Sequence, residues 1–116
     1  MSSLLGSILS ATYDPLGGPP SIVEYLVVAG GGGGGGTNET PTGGGGGAGG
    51  LLTATGFAVI TGTSYTITIG AGGAARMLTQ TAPGLSGGSS SIAFPSTITS
   101  PGGGGGGNYP GGAGAS

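Results

Sequence analysis

The chain has no cysteine, no histidine and no lysine, and Arg76 is its only cation. Without cysteine no disulfide can staple the fold, and the redox compartment leaves no mark on the sequence. Without His or Cys the usual nucleophile–base pairs and transition-metal sites are missing. Binding a phosphate backbone needs several Lys or Arg to displace counterions, so nucleic acid is not an expected partner. Asp14, Glu24 and Glu39 are the only acids. They lie too far apart in sequence to suggest a general acid–base pair. Asp14 or Glu39 with backbone carbonyls would suit Ca²⁺ chemically, but turn and loop roles are expected of both. No serine or threonine is marked as activated. The expectation is a protein that is not an enzyme, with no catalytic residue, no metal site and no cofactor.

Long apolar runs are absent too. None approaches the roughly 20 residues of a membrane span, so no membrane insertion is expected. The first residues lack a basic start, and Gly6, Ser7 and Ser10 interrupt the apolar stretch, which argues against a secretory signal peptide. Good helix formers are scarce beyond the leader, so the expected fold class is all-β or extended, with little or no α-helix outside an N-terminal turn.

Glycine is what the chain has in quantity: 34 of its 116 residues, where an average protein has about 7 %. Seven glycines run from 30 to 36, six from 102 to 107, and a block GGGGGAGG spans 43–50. There is no strict Gly-X-Y period, which excludes collagen. Gly-rich chains are usually disordered, but disordered segments are charged and poor in β-branched residues. Here only 3 % of residues are charged, and the segments between the glycines are rich in Val, Ile, Thr and Tyr.

The length suits one domain, with residues 1–20 as an N-terminal docking segment and 21–116 as a glycine-rich domain. In the leader, Leu4, Leu5, Ile8 and Leu9 have helix-like spacing and are the expected assembly contacts. Residues 21–29 read as a strand with apolar residues on both faces, so both faces are expected to be covered. Residues 64–70 alternate cleanly, with Tyr65, Ile67 and Ile69 on one face; 56–61 and 89–94 are weaker strands. A loose repeat follows: out along a strand and its glycines, around a polar loop, and back. It puts the loops 37–42, 75–86 and 107–110 at one end of the molecule.

Polyglycine matches the GxGxxG dinucleotide fingerprint trivially, but no helix follows to complete it. The glycines make better sense as packed polyglycine II helices, with three residues per turn and about 3.1 Å rise per residue. Such a helix has no internal hydrogen bonds, so its N–H and C=O groups must bond to neighbours. Ordering glycine costs about 0.5–1 kcal/mol more per residue than ordering alanine. Only several runs packed together can offset that.

The string Val23-Glu-Tyr-Leu-Val-Val-Ala-Gly-Gly-Gly-Gly-Gly-Gly35, then GGGGGAGGL at 43–51, Ser64-Tyr-Thr-Ile-Thr-Ile-Gly-Ala-Gly-Gly73, GGSSS at 87–91 and the glycines 102–107 together resemble the glycine-rich domain of bacteriophage tail proteins. The resemblance covers about residues 21–116. It implies a rigid tip of polyglycine II helices whose distal loops touch host outer-membrane proteins or surface glycans. The receptor contacts it implies are Asn38, Glu39, Arg76, Met77, Gln80, Asn108 and Tyr109. Tyr109 offers an aromatic face for sugar or apolar contact. The expected role is a short tail-fibre or tail-tip subunit of the virion, made in the host cytoplasm. It would be a homo-oligomer, a trimer by fibre analogy, attached through residues 1–20 to another tail protein. The alternative is a self-assembling filament or particle-decoration subunit that binds no receptor. The near absence of charge favours association in either case.

Overall fold

A computed structural model describes residues 17–37, 42–77, 79–108, 113, 114 and 116. Among them there is no helix, and the chain is strands and extended segments. Five strands are present: β1 Ile22–Val28, β2 Leu51–Ala58, β3 Thr66–Thr68, β4 Ser90–Ala93 and β5 Thr97–Ser100. β1 and β2 form one antiparallel pair; β3, β4 and β5 form a second antiparallel sheet with β4 in the middle. The strand expected at 56–61 begins earlier, at Leu51, and Thr97–Ser100 is a strand that the short run between Pro95 and Pro101 does not announce.

Turn chemistry explains the local irregularities. Between Val23 and Tyr25 the register slips, and β2 carries the extra residue beside Gly56, whose φ of 68° is open to glycine alone at little cost. Gly62, with φ 78°, is the third residue of a turn closed by Thr63 N–H donating to the Ile60 carbonyl at 3.2 Å.

The two sheets meet through aromatic rings. Phe94 lies 4.0 Å from Phe57, 5.2 Å from Tyr65 and 6.1 Å from Tyr25, and Tyr25 stands edge-on to Phe57 at 5.7 Å. Such pairs are worth about 0.5–1.5 kcal/mol beyond their buried area. The Tyr65 hydroxyl accepts from Ile60 N–H at 2.8 Å, which fixes the ring. Among the described residues Val27 and Ala29 are the buried hydrophobic side chains, so this core is small. The expectation that both faces of β1 are covered is corrected: Val23, Tyr25 and Val27 face inward, while Ile22, Leu26 and Val28 are exposed.

Each strand runs without a break into or out of a glycine segment. The segment 29–37 extends β1 and lies at the centre. Ala29, Gly32 and Gly35 donate to the carbonyls of Gly50, Gly47 and Gly44 (2.8–2.9 Å). Gly30, Gly33 and Gly36 donate to Gly88, Leu85 and Ala82 (2.9–3.0 Å). On its other side, the carbonyls of Gly31 and Gly34 accept from Gly73 and Arg76, and those of Gly30 and Gly33 accept from Gly103 and Gly106. Donor and acceptor numbers advance in threes. They run in opposite senses for 43–50 and 82–88, and in the same sense for 70–76 and 101–107. Four neighbours thus surround the central segment in the order 43–50, 101–107, 82–88, 70–76, and each bonds to the next.

The glycines here do not serve backbone freedom: only Gly18, Gly56 and Gly62 have positive φ, and none lies in this bundle. They serve close approach. A Cβ on Gly30 or Gly33 would collide with the carbonyls of Ala71 or Ala74, and one on Gly32 or Gly35 with those of Gly104 or Gly107. In place of that Cβ each glycine aims a Cα–H at a carbonyl oxygen, a weak hydrogen bond. The alanine within 43–50 obeys the same geometry. Ala48 is three residues from Gly45, where a side chain would meet nothing within 4 Å. Ala71, Ala74 and Leu85 likewise point to solvent.

Candidate functional site

The far end of the bundle gathers the turns. Gly36 bonds to Ala82, Gly35 to Gly44, Gly44 to Gly107, and Arg76 to Gly34. Segments 29–37, 70–76 and 101–107 therefore end, and 43–50 and 82–88 begin, at one end of the molecule, and the chain reverses there between 76 and 82. Residues 38–41, 109 and 110 of the expected loops 37–42 and 107–110 lie outside the described residues. The reversal after 76 is shorter than the loop 75–86 expected from sequence. Arg76 is still held by Gly34, and Gly84 and Leu85 donate to Gly106 and Ala74. Pro83, Leu85 and Ser86 lack the look of a glycine segment, yet their neighbours Gly84 and Gly87 supply the inward positions at the required spacing of three.

The 77–81 turn is internally fastened. Gln80 N–H donates to the Met77 carbonyl at 3.0 Å, Met77 N–H donates to Gln80 Oε1 at 3.4 Å, and Ala82 N–H donates to the Gln80 carbonyl at 2.9 Å. Arg76 Nε donates to the Pro83 carbonyl at 3.2 Å, so the cation also braces the turn. The turn folds over Gly36, where a Cβ would strike the Gln80 carbonyl and approach Arg76 Cβ. Met77, by contrast, leaves 74 % of its surface exposed.

Arg76, Met77 and Gln80 are therefore brought together on one turn, and Asn108, half-buried, follows Gly107 at the same end. Asn38, Glu39 and Tyr109 lie outside the described residues, as do Leu4, Leu5, Ile8 and Leu9. Among the described residues no group of three His, Cys, Asp or Glu side chains could hold a metal ion. Chemically, this end offers hydrogen-bonding side chains, one cation and one exposed thioether on a stiff mount.

At the opposite end sequence reasoning missed a collar of small buried residues where strands become glycine segments. Ser90 and Ser100, directly paired across β4 and β5, are both buried. Ser90 Oγ accepts from Gly70 N–H at 2.9 Å, whereas Ser100 Oγ has no hydrogen-bond partner. The signal was available as the small residues Ala29, Ser90 and Ser100 where β1, β4 and β5 adjoin their glycine segments.

No curated protein and no solved structure matches the chain. The model of the glycine-rich domain family matches residues 10–116. That match spans the strands and every segment of the three-residue hydrogen-bond pattern, and the chain belongs to the glycine-rich domain family.

Proposed function

We propose that the protein is a structural component of a phage tail, a short tail-fibre or tail-tip subunit, whose glycine segments are polyglycine II helices holding loops for host-surface attachment. The reading makes no use of catalysis. The observation that carries it is the placement of the turns at one end of a hydrogen-bonded bundle, opposite the strands. Hydrogen bonds that recur at every third residue suit a three-residue helical turn. A bundle fastened backbone to backbone is stiff, and a stiff mount lowers the ordering cost of loops that bind. Membership of the glycine-rich domain family and the ordered resemblance to phage tail proteins support the same reading.

In this reading Met77 and Gln80, with Asn108 and the neighbouring Asn38, Glu39 and Tyr109, meet the receptor, and residues 1–20 dock on another tail protein. Two measurements test it. Labelled antibody imaged on tailed particles should mark one defined position at the tail. Purified protein should bind host cells, and Met77→Ser with Gln80→Ala should weaken that binding at least about tenfold, a loss of about 1.4 kcal/mol. Undiminished binding by that variant, and by Asn38→Ala with Tyr109→Ala, would remove the loops from attachment. The second reading, a self-assembling filament, draws on the exposed apolar residues of the strand end. A continuous helical polymer under the microscope would favour it.

A further inference from the structure

We infer that the uncovered face of the central glycine segment is a docking surface for a second copy of this chain. The proposal rests on the glycine bundle and not on host attachment.

Among the described residues the central segment has four neighbours where parallel rods packed side by side allow six. Its bonding groups turn by a third of a circle per residue, so the unfilled positions can be identified. The N–H groups of Gly31 and Gly34 donate no hydrogen bond, and the carbonyls of Gly32 and Gly35 accept none, within the described residues. One open position thus faces a ladder of donors and the other a ladder of acceptors, both repeating every three residues. Gly31 is exposed and Gly34 half-buried; Gly72 and Ala75 on one flank, and Gly45 and Ala48 on the other, are exposed. Together they form a flat face three segments wide.

This face continues into the strands. Val28 precedes Gly31 by three residues and is 50 % exposed; Leu51 follows Ala48 by three and is 60 % exposed; Ile69 precedes Gly72 by three and is 84 % exposed. Between β1 and β3 lies a groove of about 340 Å³ bounded by Leu26, Val28, Ile67 and Ile69, with Ile92 alongside. Leu26 and Ile67 are themselves 63 % and 67 % exposed. One surface therefore carries apolar side chains at its strand end and unfilled backbone ladders at its glycine end.

The occupant must match both. A ladder repeating in threes at rod-to-rod distance accepts only a chain with no side chain on the approaching positions. This protein supplies such segments, each preceded or followed by an apolar strand. Among the described residues the five segments are all already in the bundle, and Gly114 and Ser116 lie against Gly105 and Ser86 on its other side, so the occupant we assign is another copy. Net charge of −2 gives little repulsion between copies. The bonding directions also restrict the symmetry. Any two-fold axis relating two central segments sets a ladder against its own copy, N–H against N–H or C=O against C=O, and is forbidden; a three-fold axis along the rods keeps N–H facing C=O.

Sedimentation equilibrium of the full chain over a range of concentrations tests this, because blocking variants exist that spare the bundle. A Cβ at Gly31 would lie 3.5 Å from the Gly47 carbonyl and one at Gly34 3.6 Å from that of Gly44, both ordinary contacts. Gly31→Ala with Gly34→Ala should keep the circular dichroism spectrum and melting temperature of a folded chain. It should raise the dissociation constant of the assembly at least about tenfold, or about 1.4 kcal/mol. Leu26→Gln with Ile67→Thr should weaken it similarly, and the amides of Gly31 and Gly34 should exchange slowly only in the assembled protein. A wild-type chain that stays monomeric, an assembly indifferent to both double variants, or protection of these amides only by a different protein overturns the proposal. So does a Gly31→Ala, Gly34→Ala chain that fails to fold. Gly33→Ala separates the failure of docking from that of the bundle: it must lower the melting temperature if the bundle is real, whatever happens to assembly.

Discussion

The strand end and the glycine end of this molecule are held together by opposite means. At the strand end, side chains keep backbones apart and fill the gap: Phe94 reaches Tyr25, Phe57 and Tyr65 across two sheets. At the glycine end the side chains are gone, and five backbones bond directly to one another in threes. Area burial contributes at the first end, at about 25 cal/mol per Å². Backbone hydrogen bonds contribute at the second, each with a net value of only about 0.5–1.5 kcal/mol. A side chain is therefore an asset at one end and an obstruction at the other. The same chain meets both demands because the change from strand to glycine occurs at nearly one level, behind the collar formed by Val27, Ala29, Ser90 and Ser100.

The largest break in this comparison is one methyl group inside the bundle. Gly33→Ala places Cβ against backbone atoms of Ala74 and Ala75 that cannot swing away. The expected loss exceeds the usual 1–3 kcal/mol of overpacking, and Gly33→Val leaves no soluble folded protein. Thermal and denaturant melts check both, and an unchanged melting temperature would end the packed-glycine account. Next comes the strand end. Phe94→Ala should cost about 2–3 kcal/mol, below the value for a fully buried ring because Phe94 is half-buried.

The collar gives a finer pair. Ser90→Ala strips the acceptor from Gly70 N–H and should cost about 1 kcal/mol. Ser100→Ala removes a buried hydroxyl that bonds to nothing, and should be neutral or stabilising by up to about 1 kcal/mol. Opposite signs for two serines paired across β4 and β5 would sharpen the distinction between a bonded and an idle hydroxyl. The smallest effect is Gly45→Ala, where the added methyl meets nothing within 4 Å. A gain of a few tenths of a kcal/mol is expected, because alanine restricts the unfolded chain. Urea titration of these variants on one background would resolve the ordering.

Much of the fold was legible. The apolar run at 21–29 contains β1, whose burial alternates with period two, and the alternating run 64–70 contains β3, all three residues of which are exposed. The polar stretch after Arg76 was legible as a turn. The reversal is shorter than 75–86 because Gly84 and Leu85 already bond within the bundle, although Pro83-Gly-Leu-Ser-Gly87 does not look like polyglycine. Inside the bundle only every third residue must be glycine on a segment with one crowded side, and Gly84 and Gly87 meet that requirement. The exposed side of β1 was not legible either. Ile22, Leu26 and Val28 have the composition of covered residues, and only the placement of β3 and β4 leaves them open. At the far end, the sequence offered Arg76 as a contact residue, whereas its bond to Pro83 gives it a bracing role as well.

By itself the sequence determined the chemistry available: no transition-metal ligands of the usual kind, one cation, two kinds of segment, and runs in which no side chain stands in the way of close packing. It determined the three-residue spacing of permitted side chains as well, since Ala48 and Leu85 fall where the bundle has room. The tertiary structure decided which segments touch. Segments whose inward positions are all glycine carry no information about their own neighbours, because a bare backbone bonds equally well to any other. The strands break that degeneracy. Their side chains select β2 beside β1 and β4 between β3 and β5, and each glycine segment inherits its place from the strand it extends.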